Sequence, residues 1–217
     1  MAEAVIFDMD GVLVNTEPYH FEVEKLILRE MGIEITDNEL YSFVGLAADK
    51  MWERIKKAYS LRESVSSLVS ADIPFRVKYF RSHGKIQPLE GVGKLIEGII
   101  GYGLKTAVAS SSHPDLIKVV LEASELIRFF PLCLSGFQVK KGKPEPDIFI
   151  ETARQLGVEC SKCVVIEDSY NGVTAAKKAG MKCVGYVNPF SGNQDFSAAD
   201  MVIDDFSDLN PALLKDF

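Results

Sequence analysis

Short apolar runs of strand length alternate with helix-length segments through most of this sequence. One such run opens the chain at residues 4–9, and the others fall at residues 105–109, 132–135, 163–166, 182–187 and 201–203. Strands that are apolar throughout bury both of their faces, and helices between them provide the crossovers that parallel pairing requires. The pattern therefore predicts an α/β fold in which a doubly wound parallel sheet is covered by helices on both faces.

Between the first two apolar runs the sequence carries only helix signals. Thr36 and Glu39 have the spacing of a capping box, and residues 47–59 carry apolar side chains at helical spacing. We therefore expect an all-helical insertion after the first strand. It divides the chain into a discontinuous core domain, residues 1–15 and 84–217, and an inserted domain, residues 16–83.

Two details of the inserted domain are specific predictions. Thr16 is placed to cap a helix over residues 17–31. Pro74 lies within the helical region 61–83, and a proline inside a helix lacks one amide donor and clashes with the preceding turn. We therefore expect a break at this proline, or a new helix that begins near Asp72.

The charge balance narrows the classes of partner. The 217 residues include 31 acidic and 24 basic ones, for a net charge of −7, and no Lys/Arg-rich run is present. A nucleic-acid-binding protein needs such a basic surface. No apolar run reaches the roughly 18–20 residues of a membrane span, and the N-terminus lacks a signal-peptide pattern. We expect a cytoplasmic monomer that binds neither nucleic acid nor membranes.

Cys160 and Cys163 have the spacing of a redox or zinc-binding pair. The chain has two other cysteines, Cys133 and Cys183, but they are not spaced as the second pair that a zinc site requires. Cys163 also leads directly into an apolar run of strand type. We therefore interpret the pair as ordinary reduced thiols at the start of a strand.

Carboxylates follow two of the predicted strands. Asp8 and Asp10 are two residues apart, a spacing at which side chains on a strand point the same way, and Glu167 and Asp168 follow the run at 163–166. Ligands bind beyond the carboxyl ends of the strands in such sheets, and an all-oxygen set of carboxylates suits Mg²⁺. The sequence therefore predicts a Mg²⁺ site, with turn-forming or helix-capping acids as the alternative.

Two further segments at this edge of the sheet suit an anion. The hydroxyl of Ser110, the backbone N–H groups of Ser111 and Ser112, and a helix start near Pro114 form a candidate anion cradle. Lys143 is placed to supply a fixed positive charge. The alternatives are a plain turn and helix cap for the serines, and a solvated surface position for the lysine.

Four segments together resemble the signatures of the haloacid dehalogenase (HAD) superfamily. They are Val-Ile-Phe-Asp-Met-Asp-Gly-Val-Leu at 5–13, Ser110, Lys143 in the run Gly-Lys-Pro-Glu-Pro-Asp-Ile-Phe, and Val-Val-Ile-Glu-Asp-Ser-Tyr-Asn-Gly at 164–172. The helical insertion is similar to the α-helical cap of the β-phosphoglucomutase-like phosphatase branch. The resemblance implies a Rossmann-like core, a mobile cap and a Mg²⁺-dependent mechanism with an aspartyl-phosphate intermediate.

The resemblance also implies roles for single residues. Asp8 attacks phosphorus, and Asp10 protonates the leaving oxygen and then deprotonates the attacking water. The implied phosphate-binding residues are Ser110, Ser111 and Lys143. The implied Mg²⁺ ligands are Asp8, Asp10 and Asp168, with Glu167 binding either directly or through water.

The cap decides between hydrolysis and transfer of the phosphoryl group to a second hydroxyl. Thr16 and His20 are similar to residues of both phosphatase and mutase relatives. They are expected to orient the reacting groups, although a purely capping role for Thr16 is an equal alternative. β-Phosphoglucomutase uses an arginine for a second phosphate where this sequence has Ala48. Lys50 or Arg76 is the candidate substitute, with a solvated surface charge as an equal alternative for both. The missing arginine favours a phosphatase that hydrolyses sugar or other small-metabolite phosphate monoesters.

Two other functions stay open alongside the phosphatase. One is a β-phosphoglucomutase-type sugar phosphomutase, because the core signatures are shared by both activities. The other is a non-catalytic binding module on the same fold, which four intact signatures disfavour. A true haloacid dehalogenase is also disfavoured, since Asp10 is retained and points to a leaving group that must be protonated.

Overall fold

The computed structural model describes residues 1–43, 46 and 48–217. The chain forms two compact units: a core unit of Met1–Asn15 with Lys85–Phe217, and a helical unit of Thr16–Gly84. The sequence analysis compares the stretch around Ala48 with mutases, and part of that stretch lies outside the described residues. The predicted helix start at residue 47 also lies outside them.

The strands of the core unit form one parallel sheet. In chain order they are β1 (Ala4–Phe7), β2 (Lys105–Ser110), β3 (Leu132–Ser135), β4 (Cys163–Glu167), β5 (Lys182–Tyr186) and β6 (Met201–Ile203). The sheet order is β3-β2-β1-β4-β5-β6, and each neighbouring pair is parallel. This order is that of a doubly wound sheet whose two halves diverge at β1 and β4. The predicted fold class is confirmed.

Helices connect the strands and make up the inserted segment. They are α1 (Glu17–Glu30), α2 (Asp37–Tyr41), α3 (Ala48–Tyr59) and α4 (Val65–His83) in the helical unit, and α5 (Val92–Gly101), α6 (Pro114–Ala123), α7 (Asp147–Leu156), α8 (Tyr170–Lys178) and α9 (Pro211–Asp216) in the core unit. The predicted capping box of Thr36 and Glu39 is present at the start of α2. The sequence analysis has no counterpart for α9, whose six residues are too few to show a helical period.

Both faces of the sheet are covered, which explains why the strand sequences are apolar throughout. Ile6 in β1 belongs to the cluster that packs against α7 and α8 through Phe149 and Val173. Its neighbour Phe7 is equally buried and meets Phe130 edge to face, with ring centroids 5.6 Å apart. Because adjacent strand residues point to opposite faces, this burial requires packing on each side of the sheet.

Pro74 does not interrupt α4, so the predicted break is wrong. Asp72 and Arg76 lie on either side of the proline, and Arg76 Nε donates to Asp72 Oδ1 at 2.6 Å. Leu68 and Phe80, towards the two ends of the helix, are both buried. These contacts offset the ~3 kcal/mol that a proline inside a helix costs.

Thr16 does not cap α1 as predicted. It occupies the N-cap position, but its backbone is helical, with φ −95° and ψ −13°, and its side chain makes no capping hydrogen bond. A capping side chain requires an extended backbone at that position to turn towards the first amides of the helix. The side chain is nevertheless fully buried.

A buried ionic network joins α1, α3 and α4 within the helical unit. Arg76 donates to Glu24 Oε1 at 3.1 Å as well as to Asp72, and Trp52 Nε1 donates to Asp72 Oδ2 at 3.1 Å. A guanidinium nitrogen of Arg76 also lies 2.9 Å from Nδ1 of His20. Because a guanidinium group only donates, Nδ1 of His20 accepts this hydrogen bond.

We expect Arg76→Ala to destabilise the chain by about 3–5 kcal/mol, because Glu24 and Asp72 then stay buried without their counter-charge. Urea unfolding at neutral pH, followed by circular dichroism, measures the loss. Arg81→Ala is the matched control, since Arg81 is exposed on the same helix, and it should change stability by less than about 0.5 kcal/mol. Equal unfolding midpoints for the two variants would contradict this role of the network.

The cysteines are free thiols. Cys163 begins β4, where its thiol contacts the backbone oxygen of Glu159 and burial raises its pKa to about 12. A thiol with so high a pKa stays protonated at neutral pH, and it is therefore a poor nucleophile and a poor metal ligand. Within the described ranges, no helix combines the length and the apolar character needed to cross a membrane.

Candidate active site

The carboxyl ends of β2, β1 and β4 lie side by side and bring the predicted site residues of the core unit to one edge. Phe7, the last residue of β1, pairs with Val108 of β2 and Ile166 of β4. The next residue, Asp8, therefore lies beside Glu167, and its amide donates to Ile166 O at 3.0 Å. This edge, where the two halves of the sheet diverge, is where doubly wound folds bind ligands.

Lys143 reaches this edge and joins two carboxylates. Its ammonium group donates to Asp8 Oδ1, to Glu167 Oε1 at 2.7 Å and to Ala109 O at 3.0 Å. Its side chain is only 5% exposed. The surface-lysine alternative is therefore wrong, because all three N–H donors of the ammonium group have partners inside the protein.

Asp8 and Asp10 have different surroundings. Strand β1 ends at Phe7, so the argument that both side chains point the same way along a strand is wrong. Asp10 Oδ2 accepts from the hydroxyls of Ser110 at 3.3 Å and Ser112 at 2.8 Å. Asp8 is thus paired with an ammonium ion, whereas Asp10 is hydrogen-bonded by neutral hydroxyls.

The serine segment after β2 forms, in part, the plain turn that the sequence analysis kept as the alternative to an anion cradle. The amide of Ser112 donates to Ser110 Oγ at 3.0 Å, and Ser110 is fully buried, whereas Ser111 is exposed. The cap of α6 is His113, whose Nδ1 accepts from the amide of Asp115 at 3.3 Å. Ser112 is a site residue that the sequence analysis named only for its backbone, although its hydroxyl contacts Asp10.

Glu167 is held from two sides at the end of β4. Its Oε1 accepts from Lys143, and its Oε2 accepts from the amide of Ser169 at 2.8 Å and from the Ser169 hydroxyl at 2.9 Å. A Cβ atom added to Gly172 would lie 1.7 Å from Oε1. The first turn of α8 must therefore carry a glycine there for the glutamate to stay in place.

Asp168 contacts a residue that the sequence analysis missed. Ser191, in the loop after β5, donates its hydroxyl to Asp168 Oδ2, and both side chains are buried. The position of Ser191 beyond the end of a strand at this edge is the signal that points to it.

The charges at this edge are poorly compensated. Burial raises the pKa of Asp8 to about 7, against the opposing effect of Lys143, and repulsion from Glu167 and Asp10 adds to the rise. Burial, together with Glu167 and Asp8, also raises the pKa of Asp168 well above its usual value. For Lys143, burial acts to lower the pKa, but the attraction of Asp8 and Glu167 outweighs it and the pKa is raised.

The donor set fits a divalent cation by charge and by chemistry. The carboxylates of Asp8, Glu167 and Asp168 are all buried at this edge, and the ammonium group of Lys143 pairs with the first two. In the described part of the chain, no group of three or more His, Cys, Asp or Glu side chains is arranged to hold a metal ion. The carboxylates are instead held by lysine and serine donors, and the oxygen-only set matches Mg²⁺ rather than zinc.

Thr16 and His20 belong to the helical unit, in which His20 is bound by Arg76. The candidate substitutes for a phosphate-binding arginine are also in this unit. Arg76 is committed to Asp72 and Glu24, and Lys50 is an exposed lysine whose Nζ lies 3.0 Å from Glu53. Neither is therefore an unpaired cation.

The arrangement of these residues agrees with a family match over most of the chain. Residues 5–186 match the family model described as haloacid dehalogenase-like hydrolase. This chain belongs to the haloacid dehalogenase-like hydrolases. The predictions of this family and of an enzyme are confirmed.

Relatives of this HAD chain resemble it along most of its length. It is 32% identical over 180 residues to the phosphorylated carbohydrates phosphatase of Thermotoga maritima, covering 83% of this chain and 82% of that protein. It is 30% identical over 219 residues to the beta-phosphoglucomutase of Bacillus subtilis, covering 99% and 94%. The crystal structure of CbbY from Rhodobacter sphaeroides in complex with phosphate superimposes with a TM-score of 0.86 at 25% identity, and each chain is covered completely.

Proposed function

We propose that this HAD enzyme is a Mg²⁺-dependent phosphatase that hydrolyses sugar phosphates or similar small phosphate monoesters through an aspartyl-phosphate on Asp8. The observation that carries the proposal is the contrast between the two aspartates of the first signature. Lys143 pairs with Asp8, whereas the hydroxyls of Ser110 and Ser112 bind Asp10. One carboxylate is thus held beside a fixed positive charge, and the other is placed to exchange a proton.

The ion pair suits Asp8 to attack phosphorus. Lys143 favours its ionised form against the effect of burial, and the ammonium group is fixed by Glu167 and Ala109 O. As a phosphoryl group arrives, the same ammonium group lies next to the oxygens on which charge is redistributed. At the end of β2, Ser110 is fully buried and Ser111 is exposed. We assign them to phosphate binding.

Asp10 acts as the general acid and base. It protonates the oxygen of the leaving alcohol when the ester bond breaks, and it then takes a proton from the water that hydrolyses the aspartyl-phosphate. The hydroxyls of Ser110 and Ser112 hold its carboxyl group in one orientation. The orienting roles of Thr16 and His20 stay predictions.

Mg²⁺ would be held by Asp8, Asp10 and Asp168, with Glu167 close by. When bound, it neutralises the repulsion between the Asp8 carboxylate and the incoming phosphate dianion. Glu167 contributes its charge and also fixes Lys143, because its two oxygens already accept from Lys143 and Ser169.

We expect hydrolysis of a generic aryl phosphate to stop in a chelator and to return with Mg²⁺ but not with zinc alone. Asp168→Ala should raise the Mg²⁺ concentration needed for half-maximal activity by about 10-fold or more, because a buried oxygen ligand is lost. Free phosphate is measured against Mg²⁺ concentration for both proteins. Full activity of the wild type in the chelator would contradict the proposal.

The relatives support a phosphorylated carbohydrate as the substrate. One is named a phosphorylated carbohydrates phosphatase, and another is named beta-phosphoglucomutase, which makes a sugar phosphomutase the second candidate function. Hydrolysis is favoured because Ala48 stands where the mutase has its arginine, and because Arg76 and Lys50 are paired with acids. Four intact signatures in one site speak against a non-catalytic module. The monomeric state stays a prediction.

With β-glucose 1-phosphate as substrate, we expect free phosphate to accumulate in proportion to the substrate lost. Added glucose 1,6-bisphosphate should not be required, because Ala48 replaces the arginine that would bind a second phosphate, and water takes the phosphoryl group from Asp8. Both products, free phosphate and glucose 6-phosphate, are followed with and without the bisphosphate. Glucose 6-phosphate formed much faster than phosphate would instead identify a mutase.

A further inference from the structure

The loop that follows β5 returns to the candidate active site. It runs from Asn188 to Gln194, just beyond residue 186, where the family match ends. Asn188 and Ser191 are only 3% and 8% exposed, although Phe190 between them is 54% exposed. A short loop that buries its polar side chains and exposes an aromatic ring must gain its stability from the contacts of those polar groups.

Ser191 and Gly11 together fix one oxygen of Asp168. The Ser191 hydroxyl donates to Asp168 Oδ2. The same oxygen lies against Gly11, where an added Cβ atom would be 2.0 Å away, and Gly11 has a φ of +82° that favours glycine. The carboxylate is therefore held between a hydroxyl from the loop after β5 and the backbone of the loop after β1.

Two amide side chains fix the loop that presents Ser191. Asn188 Nδ2 donates to Gly11 O at 2.9 Å, and its Oδ1 accepts from the amide of Phe190 at 2.9 Å. Gln194 Nε2 donates to Ser191 O at 2.6 Å, and its Oε1 accepts from the amide of Tyr170 at 2.9 Å. The loop is thus bonded both to the segment that carries Asp8 and Asp10 and to the first residue of α8, next to Asp168.

We propose that the 188–194 loop sets the affinity of the site for its divalent cation, with Ser191 as the positioning residue that fixes the orientation of Asp168. The inference rests on the proposed Mg²⁺ site and deepens it. A carboxylate that is already oriented loses less conformational freedom when it binds a cation, so the loop raises affinity without touching the ion. Partners of metal ligands typically change metal affinity by about 10–100-fold.

The test is direct binding of Mn²⁺ to the full chain, measured by electron paramagnetic resonance after chelation, with Mg²⁺ as competitor. We expect Ser191→Ala to weaken Mn²⁺ binding by about 10–100-fold, and Ser191→Thr, which keeps the hydroxyl, to restore most of it. Ser197→Ala is the matched control, because Ser197 is an exposed serine of the following segment. Thermal unfolding without metal establishes that each variant is folded.

The outcomes separate this inference from the proposed function. Wild-type binding of Mn²⁺ with equal binding by Ser191→Ala would overturn the role of the loop and leave the Mg²⁺ site standing. No binding by the wild type would overturn the Mg²⁺ site and the inference with it. If Ser191→Ala does not fold, Mn²⁺ binding is measured for Gln194→Ala in its place, because this change releases the loop from α8 while Ser191 keeps its hydroxyl. Unchanged Mn²⁺ binding in that variant would equally reject the proposal.

Discussion

Asp8→Asn is expected to lower phosphatase turnover by at least about 1000-fold, which corresponds to about 4 kcal/mol in the activation barrier. The amide lacks the negative charge and the nucleophilic oxygen that form the bond to phosphorus. The fold should survive, because asparagine has the same shape and its side-chain oxygen can still accept from Lys143. Removing a carboxylate whose pKa burial raises to about 7 also relieves repulsion from Glu167 and Asp10.

Phosphate release and thermal unfolding are measured together for this variant. Asp204→Asn is the matched control, because Asp204 is exposed in the same core unit and the change in net charge is identical. Acid quenching followed by mass spectrometry should find phosphate on Asp8 in the wild type during turnover. Residual activity within about tenfold of the wild type would rule out a covalent mechanism on Asp8.

Lys143→Ala is expected to have the second large effect, on stability as well as on turnover. The substitution leaves Asp8 and Glu167 facing each other, with side chains 10% and 1% exposed and no counter-charge between them. Breaking a buried ion pair in this way typically costs about 3–5 kcal/mol. Turnover should fall by about 100–1000-fold, because the fixed positive charge next to the phosphoryl oxygens is lost.

Urea unfolding and phosphate release again report the two effects. Lys141→Ala is the control, since Lys141 lies two residues away in the same loop and is exposed. Lys143→Met separates charge from packing, because it retains most of the aliphatic stem and removes only the ammonium group, whose nitrogen lies 5.1 Å from the ring centroid of Phe149. If Lys143→Met were as stable and as active as the wild type, the charge of Lys143 would have no role in the site.

The architecture of the core unit can be predicted from the sequence, because the strands of a buried parallel sheet appear as short apolar runs along the chain. The strands at 105–110 and 163–167 have apolar centres because helices cover both faces of the sheet. Glycines such as Gly157 and Gly180, which adopt positive φ, mark the ends of helices. Asp8 and Asp168 stand out for the same reason, because each follows a recognisable strand at a known edge of such a sheet, whereas Lys143 stands out in the segment before a predicted helix. Pro74 shows the limit of local rules: its helix continues because Asp72 and Arg76 pair across it.

The sequence by itself determined the order of the strands along the chain, the helical insertion and the residue types at the edge of the sheet that carries the candidate active site. Those features depend on composition and spacing, which are local. Only the tertiary structure decided the partners: Lys143 binds Asp8, Glu167 and a backbone oxygen, two serines bind Asp10, and Ser191 holds Asp168. Those pairs join residues up to 135 positions apart, as for Lys143 and Asp8. Such contacts arise from sheet order and loop conformation, and neither leaves a periodic signal in the chain.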